Sequence, residues 1–550
     1  MRRSQRHRLV GLLLVATACF TSDSPAQISS QTPGEVLFRL ESAATKPAAA
    51  LTEIAGIDSV TPILARGPRT KPTSTAAHIY KAILKQGASV SDVIAALGSR
   101  PDVVYAQPNH LFETFQTTND PKLAEQFHLD LIRWSDLFEA LPPKQKEVIV
   151  AVIDSGIDYR HEDLSAVIWI NTAEAQGRPG FDDDGNGYVD DIRGWDFTDA
   201  PSLPGQGDFL TPDNDPIDES SHGTQVAGVI GAIQNNGIGV AGVADCRLMA
   251  VRAGLTFDQG GTFLQEDDLA AGIIYAVDNG ADILNLSWGS FDRSYVIEDA
   301  IRYAVEHGVI VIAAAGNSGT PPVAYPAALD DVISVSAVET TGNLASFSSY
   351  GHVLDIVAPG VNIVSTRLDN TYGPRSGSSF AAPQVSGLAA LLLSRQPDMS
   401  PSQVRGALVA STTDLGSSGW DREFGSGQID ASRLTSYVSG TSAPTIRILA
   451  PGSDNEVSGV VSVTWSSSGE PFTSYNLSWG LDTDTPDWNL IETGAPQPGT
   501  STSSWTVPAS PLDQPIILRL EASTAGSSRT TEHRVRLRAN PAIPAVTSLF

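Results

Sequence analysis

Residues 148–156 read VIVAVIDSG, and this stretch decides the fold class of the chain. The run from Val148 to Ile153 is short, apolar throughout and rich in β-branched residues, which is typical of a parallel strand buried on both faces. Asp154 follows it directly, before a Ser-Gly turn. Standing alone, Asp154 would equally fit a turn carboxylate that caps the next segment. In an open α/β sheet, however, ligands bind beyond the carboxyl ends of the strands.

The region from Glu147 to about Tyr437 continues this pattern, because short Val/Ile/Ala-rich runs alternate with helical ones. Such alternation indicates parallel strands joined by crossover helices, and therefore an α/β fold with an open parallel sheet and helices on both faces. The candidate strands are residues 147–153, 247–252, 281–286, 308–315, 331–338 and 353–358.

The segments on either side of this region have a different character. Residues 34–114 carry two strand-like runs, Glu35–Arg39 and Val103–Ala106, around two helix-like runs, which predicts a small α+β unit. Beyond Ser439 the sequence changes to alternating β-type segments separated by turns, which predicts an all-β sandwich. These segments are residues 445–450, 457–466, 474–480, 515–522 and 531–538.

The amino terminus has the pattern of an export signal. Four arginines in the first eight residues precede the apolar run Leu9–Phe20, which is too short to span a bilayer. Cleavage after Ala26 or Ala18 satisfies the small-residue rule, so we assign residues 1–26 to a signal peptide and expect a secreted protein, extracellular or periplasmic. The Ala-Thr-Ala-Cys sequence leaves lipoprotein anchoring through Cys19 as the alternative. No later stretch approaches 18 apolar residues, so no transmembrane span is expected.

Composition excludes several classes of partner and stabiliser. The chain has 62 acidic and 35 basic residues and a net charge of −27, so its surface repels phosphate backbones and nucleic acid is not expected as a partner. The cysteines are Cys19 and Cys246, so loss of the first with the signal leaves no disulfide. Stability outside the cell must then come from packing or bound ions.

Two further motifs carry reactive side chains. His222 lies in Ser-His-Gly-Thr at the start of a helix-like run over 225–236, where Ser220 or Ser221 can serve as the cap. Ser379 lies in GSSFAAP, residues 377–383, before the apolar helix predicted over 385–395, where its hydroxyl and N–H are exposed at the helix start. Each motif alone also fits a structural role. Together, the order Asp154, His222, Ser379 is one of three chain orders known to build a Ser-His-Asp triad.

With AAAGN at 313–317, these motifs make the chain resemble the subtilisin-like serine proteases, in particular their secreted, thermitase-like branch. The resemblance implies a subtilisin-like peptidase domain over residues 119–437 and an inhibitory prodomain over 34–116. It implies a serine endopeptidase made as a zymogen that cleaves itself somewhere in 113–119, acts on proteins or peptides, is inhibited by its own prodomain and works as a monomer. Residues 441–540 resemble Ig-like or fibronectin-like modules of secreted proteases.

The resemblance also assigns roles to the site residues. Ser379 is the expected nucleophile, His222 the base that takes its proton, and Asp154 the carboxylate that holds the imidazole. The side-chain amide of Asn317 is expected to join the Ser379 N–H in an oxyanion hole.

A substrate groove follows from the same resemblance. Its expected residues are Ser287, Trp288 and Gly289, which pair with an extended peptide, and Ala314, Ala315 and Gly316, which form a wall of the first specificity pocket. No charged residue lies in that wall, so apolar or aromatic side chains are expected before the scissile bond. Core packing stays open as the alternative role of Trp288.

Calcium is the expected cofactor, at two sites, and a weaker third site through Asp196 and Asp215 stays open. Asp182, Asp184, Asn186 and Asp190 stand at positions 1, 3, 5 and 9 of an EF-hand-like loop, although position 12 is Arg193 instead of Glu. A solvated acidic turn is the alternative there. The thermitase-like pattern implies a second site, formed by Asp120, Asp163, the Asn236 side chain and the carbonyls of Ile233, Ile238 and Val240.

Two other functions compete with proteolysis. A catalytically inactive scaffold, or a surface-binding protein acting through the C-terminal β domain, would keep the architecture without the chemistry. A lipase or esterase would need Gly-x-Ser-x-Gly and the order Ser, Asp, His, and the chain has neither.

Overall fold

The structure is a computed structural model. It describes residues 31–41, 54–63, 79–110, 119–138, 141–257, 261–441, 445–452, 455–469, 472–483, 486–496, 498–508, 515–524 and 530–539. The predicted signal peptide, Cys19 and most of the predicted self-cleavage segment lie outside these residues. The chain divides after Phe115 into two compact units, and each is described by itself.

The N-terminal unit is a four-stranded antiparallel sheet with one helix against it in the described residues. The sheet has the strand order β2-β3-β1-β4, and its core includes Phe38 and Leu97, both fully buried. The expectation of two helix-like runs between two strands is wrong for the described part of this unit, where two strands and one helix lie in between. The elements are β1 Gln31–Leu40, β2 Ile57–Pro62, β3 Ile79–Leu84, α1 Val90–Gly98 and β4 Val103–His110.

The second unit begins with an α/β part, which contains the predicted sheet. Its strands in the described residues are β5 Ile149–Asp154, β6 Gly194–Asp196, β7 Gly205–Gln206, β8 Arg247–Arg252, β9 Gly254–Phe257, β10 Thr262–Leu264, β11 Ile283–Leu286, β12 Ile310–Ala314, β13 Val332–Val338, β14 Ile356–Pro359, β15 Ile363–Arg367, β16 Thr371–Arg375, β17 Thr412–Thr413 and β18 Gln428–Ile429. Its helices there are α2 Phe127–Leu131, α3 Trp134–Phe138, α4 Thr172–Gln176, α5 His222–Gly231, α6 Glu266–Asp278, α7 Tyr295–Glu306, α8 Ala382–Arg395, α9 Pro401–Ala410 and α10 Thr435–Val438.

Nine of the described strands form one sheet, in the order β17-β18-β14-β13-β12-β11-β5-β8-β6. All neighbours in it are parallel except β17 and β18, and all six predicted strands belong to it. Side chains of β5 alternate between two cores: Val150 and Val152 pack with α5 and α8 on one face, whereas Ala151 and Ile153 pack with α6 and α7 on the other. The predicted α/β class, with helices on both faces, is therefore confirmed.

The C-terminal part of the second unit is a pair of β-sheets enclosing a third core. One sheet has the order β19-β21-β24 and the other the order β20-β26-β25-β22-β23, and Trp465 and Trp505 are buried in the core. Its strands are β19 Thr445–Ala450, β20 Glu456–Val457, β21 Val460–Ser468, β22 Phe472–Leu481, β23 Asn489–Gly494, β24 Gly499–Thr506, β25 Ile516–Thr524 and β26 Thr530–Ala539. The expected all-β region is confirmed. Within the described ranges, none of the helices has both the length and the apolar character needed to cross a bilayer.

Candidate active site

Asp154 and His222 meet at the carboxyl end of β5. His222 Nδ1 lies 2.8 Å from Asp154 Oδ1, and the Asp154 carboxylate is almost completely buried. Burial by itself would lower the pKa of His222, but the charge of Asp154 and its hydrogen bond outweigh burial and hold the pKa above its ordinary value. The carboxylate therefore fixes the orientation of the imidazole and stabilises its protonated form.

Glycine allows the strand end and the helix start to approach this closely. A Cβ on Gly223 would lie 2.1 Å from the carbonyl oxygen of Gly156 and 3.2 Å from the Cβ of Asp154. Gly156 itself has a φ of +98°, a conformation that L side chains rarely adopt. The glycines that follow Asp154 and His222 are thus required by packing.

A second buried carboxylate, Asp218, links the two segments. It accepts hydrogen bonds from the Ser155 hydroxyl at 2.9 Å and from the backbone N–H groups of Ser221 and Thr224 at 3.0 and 2.9 Å. Asp218 was not among the predicted site residues, because nothing in the chain marks an Asp four positions before His222 as a helix cap. Of the two predicted caps, Ser221 is wrong, since it has a φ of +74° and its side chain caps no amide of α5. The Ser220 hydroxyl accepts from the backbone N–H of His222 at 3.4 Å.

Ser379 lies in a short 3₁₀ turn, residues Ser378–Phe380, directly before α8. Its hydroxyl donates to the carbonyl oxygen of Ser287 at 3.0 Å, and the Ser287 hydroxyl donates back to the carbonyl oxygen of Ser379 at 2.9 Å. This reciprocal pair holds the Ser379 backbone against the end of β11. Ser379 lines the same cleft as His222.

Asn317 follows β12 and is held by the residue before Ser379. Its side-chain oxygen accepts hydrogen bonds from the backbone N–H of Ser378 at 2.8 Å and from the Ser378 hydroxyl at 3.0 Å. Because both bonds use Oδ1, the side-chain amino group of Asn317 remains the donor that can serve a ligand. Asn317 lines the cleft beside Ser379.

The cleft has a volume of about 820 Å³. Of the predicted groove residues, it is lined by Ser287, Trp288, Gly289, Ala314 and Gly316. Ala315 is different: it is fully buried and packs in the core beneath the sheet, because neighbouring side chains of a strand point to opposite faces.

Trp288 combines the two roles left open for it. It lines the cleft, packs against the second core and donates from its indole N–H to the carbonyl oxygen of Ile153 at 2.9 Å. Since Ile153 immediately precedes Asp154, Trp288 joins the groove wall to the strand end that carries the carboxylate.

The acidic loop brings together two of its four predicted ligands, Asp182 and Asp184, and adds a residue from outside the loop. Carboxylate oxygens of Asp182, Asp184 and Glu174 lie within 4.8 Å of one another. Glu174, which is 3% exposed, was missed because it lies on α4, upstream of the loop motif. Asp190 instead accepts the backbone N–H of Gly180 at 2.7 Å, and Asn186 donates to Asp184 at 3.3 Å. The donor set is rich in hard oxygen atoms, which suits calcium.

The second predicted cation site brings Asp120, Asp163 and Asn236 together. Asp163 Oδ1 accepts from the Asn236 side chain at 2.8 Å, and Asp120 accepts from the backbone N–H of Asn236 at 3.1 Å. Burial, with the nearby charge of Asp120 adding to it, raises the pKa of Asp163 to about 6. Two buried carboxylates that repel each other fit a cation. Ile233, Ile238 and Val240 were expected to offer carbonyl oxygens, but their hydrogen bonds to this cluster use their N–H groups. Ile238 and Val240 donate to the side chains of Asn236 and Asp163, and Ile233 donates to the carbonyl oxygen of Asp163.

This cluster also explains where α5 ends. The helical run predicted over 225–236 stops at Gly231, because the amides of Asn235 and Asn236 bind the carboxylate of Asp120, which lies more than a hundred residues earlier in the chain.

Comparison with known proteins agrees with this geometry. The sequence profile of the Subtilase family (Peptidase_S8) matches residues 145–427. The chain is 39% identical to the Thermophilic serine proteinase of Bacillus sp. (strain AK1), over 57% of this chain and 68% of that protein. It is 32% identical to Halolysin of Haloferax mediterranei, over 70% of this chain and 73% of that protein, and 36% identical to Subtilisin DY of Bacillus licheniformis, over 52% and 90%. The chain belongs to the subtilase family, and it is a subtilisin-like serine endopeptidase.

Proposed function

We propose that this protease cleaves peptide bonds through an acyl-enzyme on Ser379. The observation that carries the proposal is the 2.8 Å contact between His222 and buried Asp154, in a cleft that Ser379 and Asn317 also line. A serine hydroxyl is a weak nucleophile at neutral pH until a neighbouring base accepts its proton.

His222 is that base. When a peptide carbonyl enters the cleft, the Ser379 hydroxyl exchanges its bond to the Ser287 carbonyl for one to the imidazole, and Oγ attacks the carbonyl carbon as its proton moves to His222. The charge of Asp154 stabilises the imidazolium. His222 then donates the proton to the leaving amine. Water next attacks the ester carbon while His222 takes its proton, and that proton passes to Ser379 Oγ as the ester bond breaks and the acid product leaves.

The negative charge on the substrate oxygen falls between two donors, the Asn317 amino group and the Ser379 backbone N–H. Donors that are already oriented stabilise this charge without reorganising during the reaction. The bonds from Ser378 provide that orientation for Asn317.

The substrate is a protein or peptide in extended form. The backbone of Ser287, Trp288 and Gly289 offers an edge with which an extended chain can pair. Gly289 and Gly316 border the pocket for the side chain before the scissile bond, and a Cβ on either glycine would approach Ala324 to within 3.3 Å. Small apolar groups form this border, so apolar side chains are favoured there.

Calcium binding supports the fold. Asp182, Asp184 and Glu174 would hold one ion, and Asp120, Asp163 and Asn236 a second after the Asn236 amide turns its oxygen toward the cluster. An ion that binds only the folded chain stabilises it by mass action. Chelation then lowers the thermal midpoint.

The protease is exported and made as a zymogen, with the N-terminal unit as its inhibitor. Export is supported by the basic and apolar amino terminus and by the extracellular relatives, which include a Halolysin-like extracellular serine protease of Natrialba magadii. The zymogen is supported by the compact N-terminal unit that precedes the second unit.

One experiment tests both self-processing and the nucleophile. The full precursor and its Ser379→Ala form are incubated side by side, and new N-termini are identified by mass spectrometry. Wild-type processing near residue 116, absent from Ser379→Ala, is expected. Equal processing of the variant would contradict the assigned nucleophile, and an active wild type that keeps its N-terminal unit would contradict the zymogen.

A further inference from the structure

The C-terminal β-sandwich, β19 to β26, contacts the preceding α/β part of the second unit, here called the peptidase part. The contact is a stack of aromatic and cationic side chains. Trp420 belongs to the peptidase part and is anchored there by its indole N–H, which donates to the carbonyl oxygen of Leu354 at 2.9 Å. The guanidinium carbon of Arg534, on β26, lies 3.4 Å from the centre of the Trp420 ring. This contact joins the two parts at van der Waals distance.

The stack continues on both sides of this contact. Arg534 also lies 5.2 Å from the ring centre of Trp488, and Arg519 lies 3.9 Å from that same ring. On the peptidase side, the ring of His352 stacks on Trp420 with centroids 5.9 Å apart and planes inclined by 17°. The sequence Arg519, Trp488, Arg534, Trp420, His352 is here called the interdomain stack.

Charged contacts flank the interdomain stack. His352 Nε2 lies 2.9 Å from the carbonyl oxygen of Thr483 and 3.3 Å from a carboxylate oxygen of Asp482, and Asp482 is in turn paired with Arg536 at 2.7 Å. Arg447, on β19, forms an ion pair with Asp331. The contact between the two parts is therefore built from specific partners on both sides.

The contact lies on the edge of the parallel sheet away from the cleft. Asp331 immediately precedes β13, and His352 lies shortly before β14, so both lie at the amino ends of strands. Asp154 lies at the carboxyl end of its strand and Asn317 shortly beyond one, at the edge where the cleft opens. None of the residues described for the sandwich lines the cleft.

We propose that the C-terminal β-sandwich is a docked stabilising module of the peptidase domain, clamped by the interdomain stack. Guanidinium groups between indole faces are attracted to the ring quadrupoles. The sandwich opposes opening at the amino ends of the parallel strands, a region that no disulfide secures in the described residues. A module tethered only to bind substrate or a surface would need no such contacts.

The test compares two substitutions on the same strand in the full-length enzyme. Arg534→Met removes the guanidinium from between Trp420 and Trp488, and Arg538→Met makes the same chemical change at an exposed position outside the stack. The measurement is the half-life of proteolytic activity at elevated temperature, at several enzyme concentrations so that autolysis is recognised. Arg534→Met is expected to shorten the half-life about 3- to 30-fold, with kcat/KM at 25 °C unchanged, whereas Arg538→Met is expected to leave it within twofold.

Two further variants test whether the effect of Arg534→Met comes from the contact between the two parts. Trp420→Leu removes the peptidase side of the contact, and adding Arg534→Met to it is expected to cause little further loss. If Arg534→Met does not fold, Trp488→Leu replaces it and should shorten the half-life by a smaller factor. Equal half-lives for Arg534→Met, Arg538→Met and wild type, with calorimetry showing an intact sandwich, would overturn the proposal. The proposal would also be overturned if the effects of Trp420→Leu and Arg534→Met on the half-life were fully additive.

Discussion

The side-chain amino group of Asn317 is the proposed donor to the oxyanion, and its removal has a predictable effect on kcat. Asn317→Leu keeps the approximate size of the side chain but removes its amino group, so kcat should fall about 10²- to 10³-fold, or about 2.7–4 kcal/mol, while KM changes little. That magnitude was established for the corresponding donor in a subtilisin, so it is borrowed from the family. A second prediction comes from this structure and concerns Ser378, because both hydrogen bonds to Asn317 Oδ1 come from that residue.

Ser378→Ala removes the 3.0 Å hydroxyl bond and leaves the 2.8 Å bond from the backbone N–H. One neutral hydrogen bond contributes about 0.5–1.5 kcal/mol, so kcat should fall roughly 2- to 12-fold. Ser378→Thr keeps a hydroxyl and serves as the control. The assay is hydrolysis of a chromogenic peptide, with enzyme concentration set by active-site titration.

The double variant decides whether Ser378 acts through Asn317. If it does, Ser378→Ala has no further effect on kcat once Asn317 is Leu. An equal loss in both backgrounds would refute the positioning role, and a loss of less than tenfold for Asn317→Leu alone would refute the oxyanion hole.

Three other predictions concern ionisable side chains. Asp154→Asn should lower kcat about 10⁴-fold and move the acidic limb of kcat/KM to lower pH, because the pKa of His222 falls without the carboxylate; an unmoved limb would contradict this. EDTA should lower the thermal midpoint, and Glu174→Gln should raise the calcium concentration needed to restore it; a melt indifferent to EDTA would exclude bound calcium. Burial lowers the pKa of His128 from 6.5 to about 3. Below pH 6.5, His128 therefore binds a proton in the unfolded chain but not in the folded one. This difference lowers the free energy of unfolding by about 2 kcal/mol at pH 5. His128→Leu should therefore flatten the decline of the thermal midpoint between pH 7 and pH 5, whereas an unchanged slope would show that His128 does not contribute.

Local sequence patterns were sufficient to predict the strands of the parallel sheet. A strand buried on both faces must be apolar throughout, so residues 148–153 could be recognised without knowledge of their neighbours. The helix over 382–395 was equally clear, because a proline fits its first turn and an apolar run follows. Asp154 and Asn317 could be placed because they come just after strands, at the carboxyl edge of the sheet where ligands bind.

Features that depend on distant parts of the chain could not be predicted in this way. Asp218 caps α5 through a loop conformation that no local motif marks, and Glu174 joins the acidic loop from a separate helix. The strand at Ile79–Leu84 was missed because it reads IYKAIL, whose spacing of apolar residues also suits a helix, and its pairing with β1 bridges more than 40 residues. The interdomain stack unites residues up to 182 positions apart, from His352 to Arg534, and each of them alone looks like an ordinary surface residue.

The central claim is that the Ser379 hydroxyl is the nucleophile that His222 activates. The most direct measurement is labelling of the mature enzyme with a fluorophosphonate, followed by digestion and mass spectrometry of the labelled peptide. We predict one adduct, on Ser379, and its loss in His222→Ala together with activity. An adduct on Ser378 or another serine, or undiminished labelling of Ser379 in His222→Ala, would contradict the account.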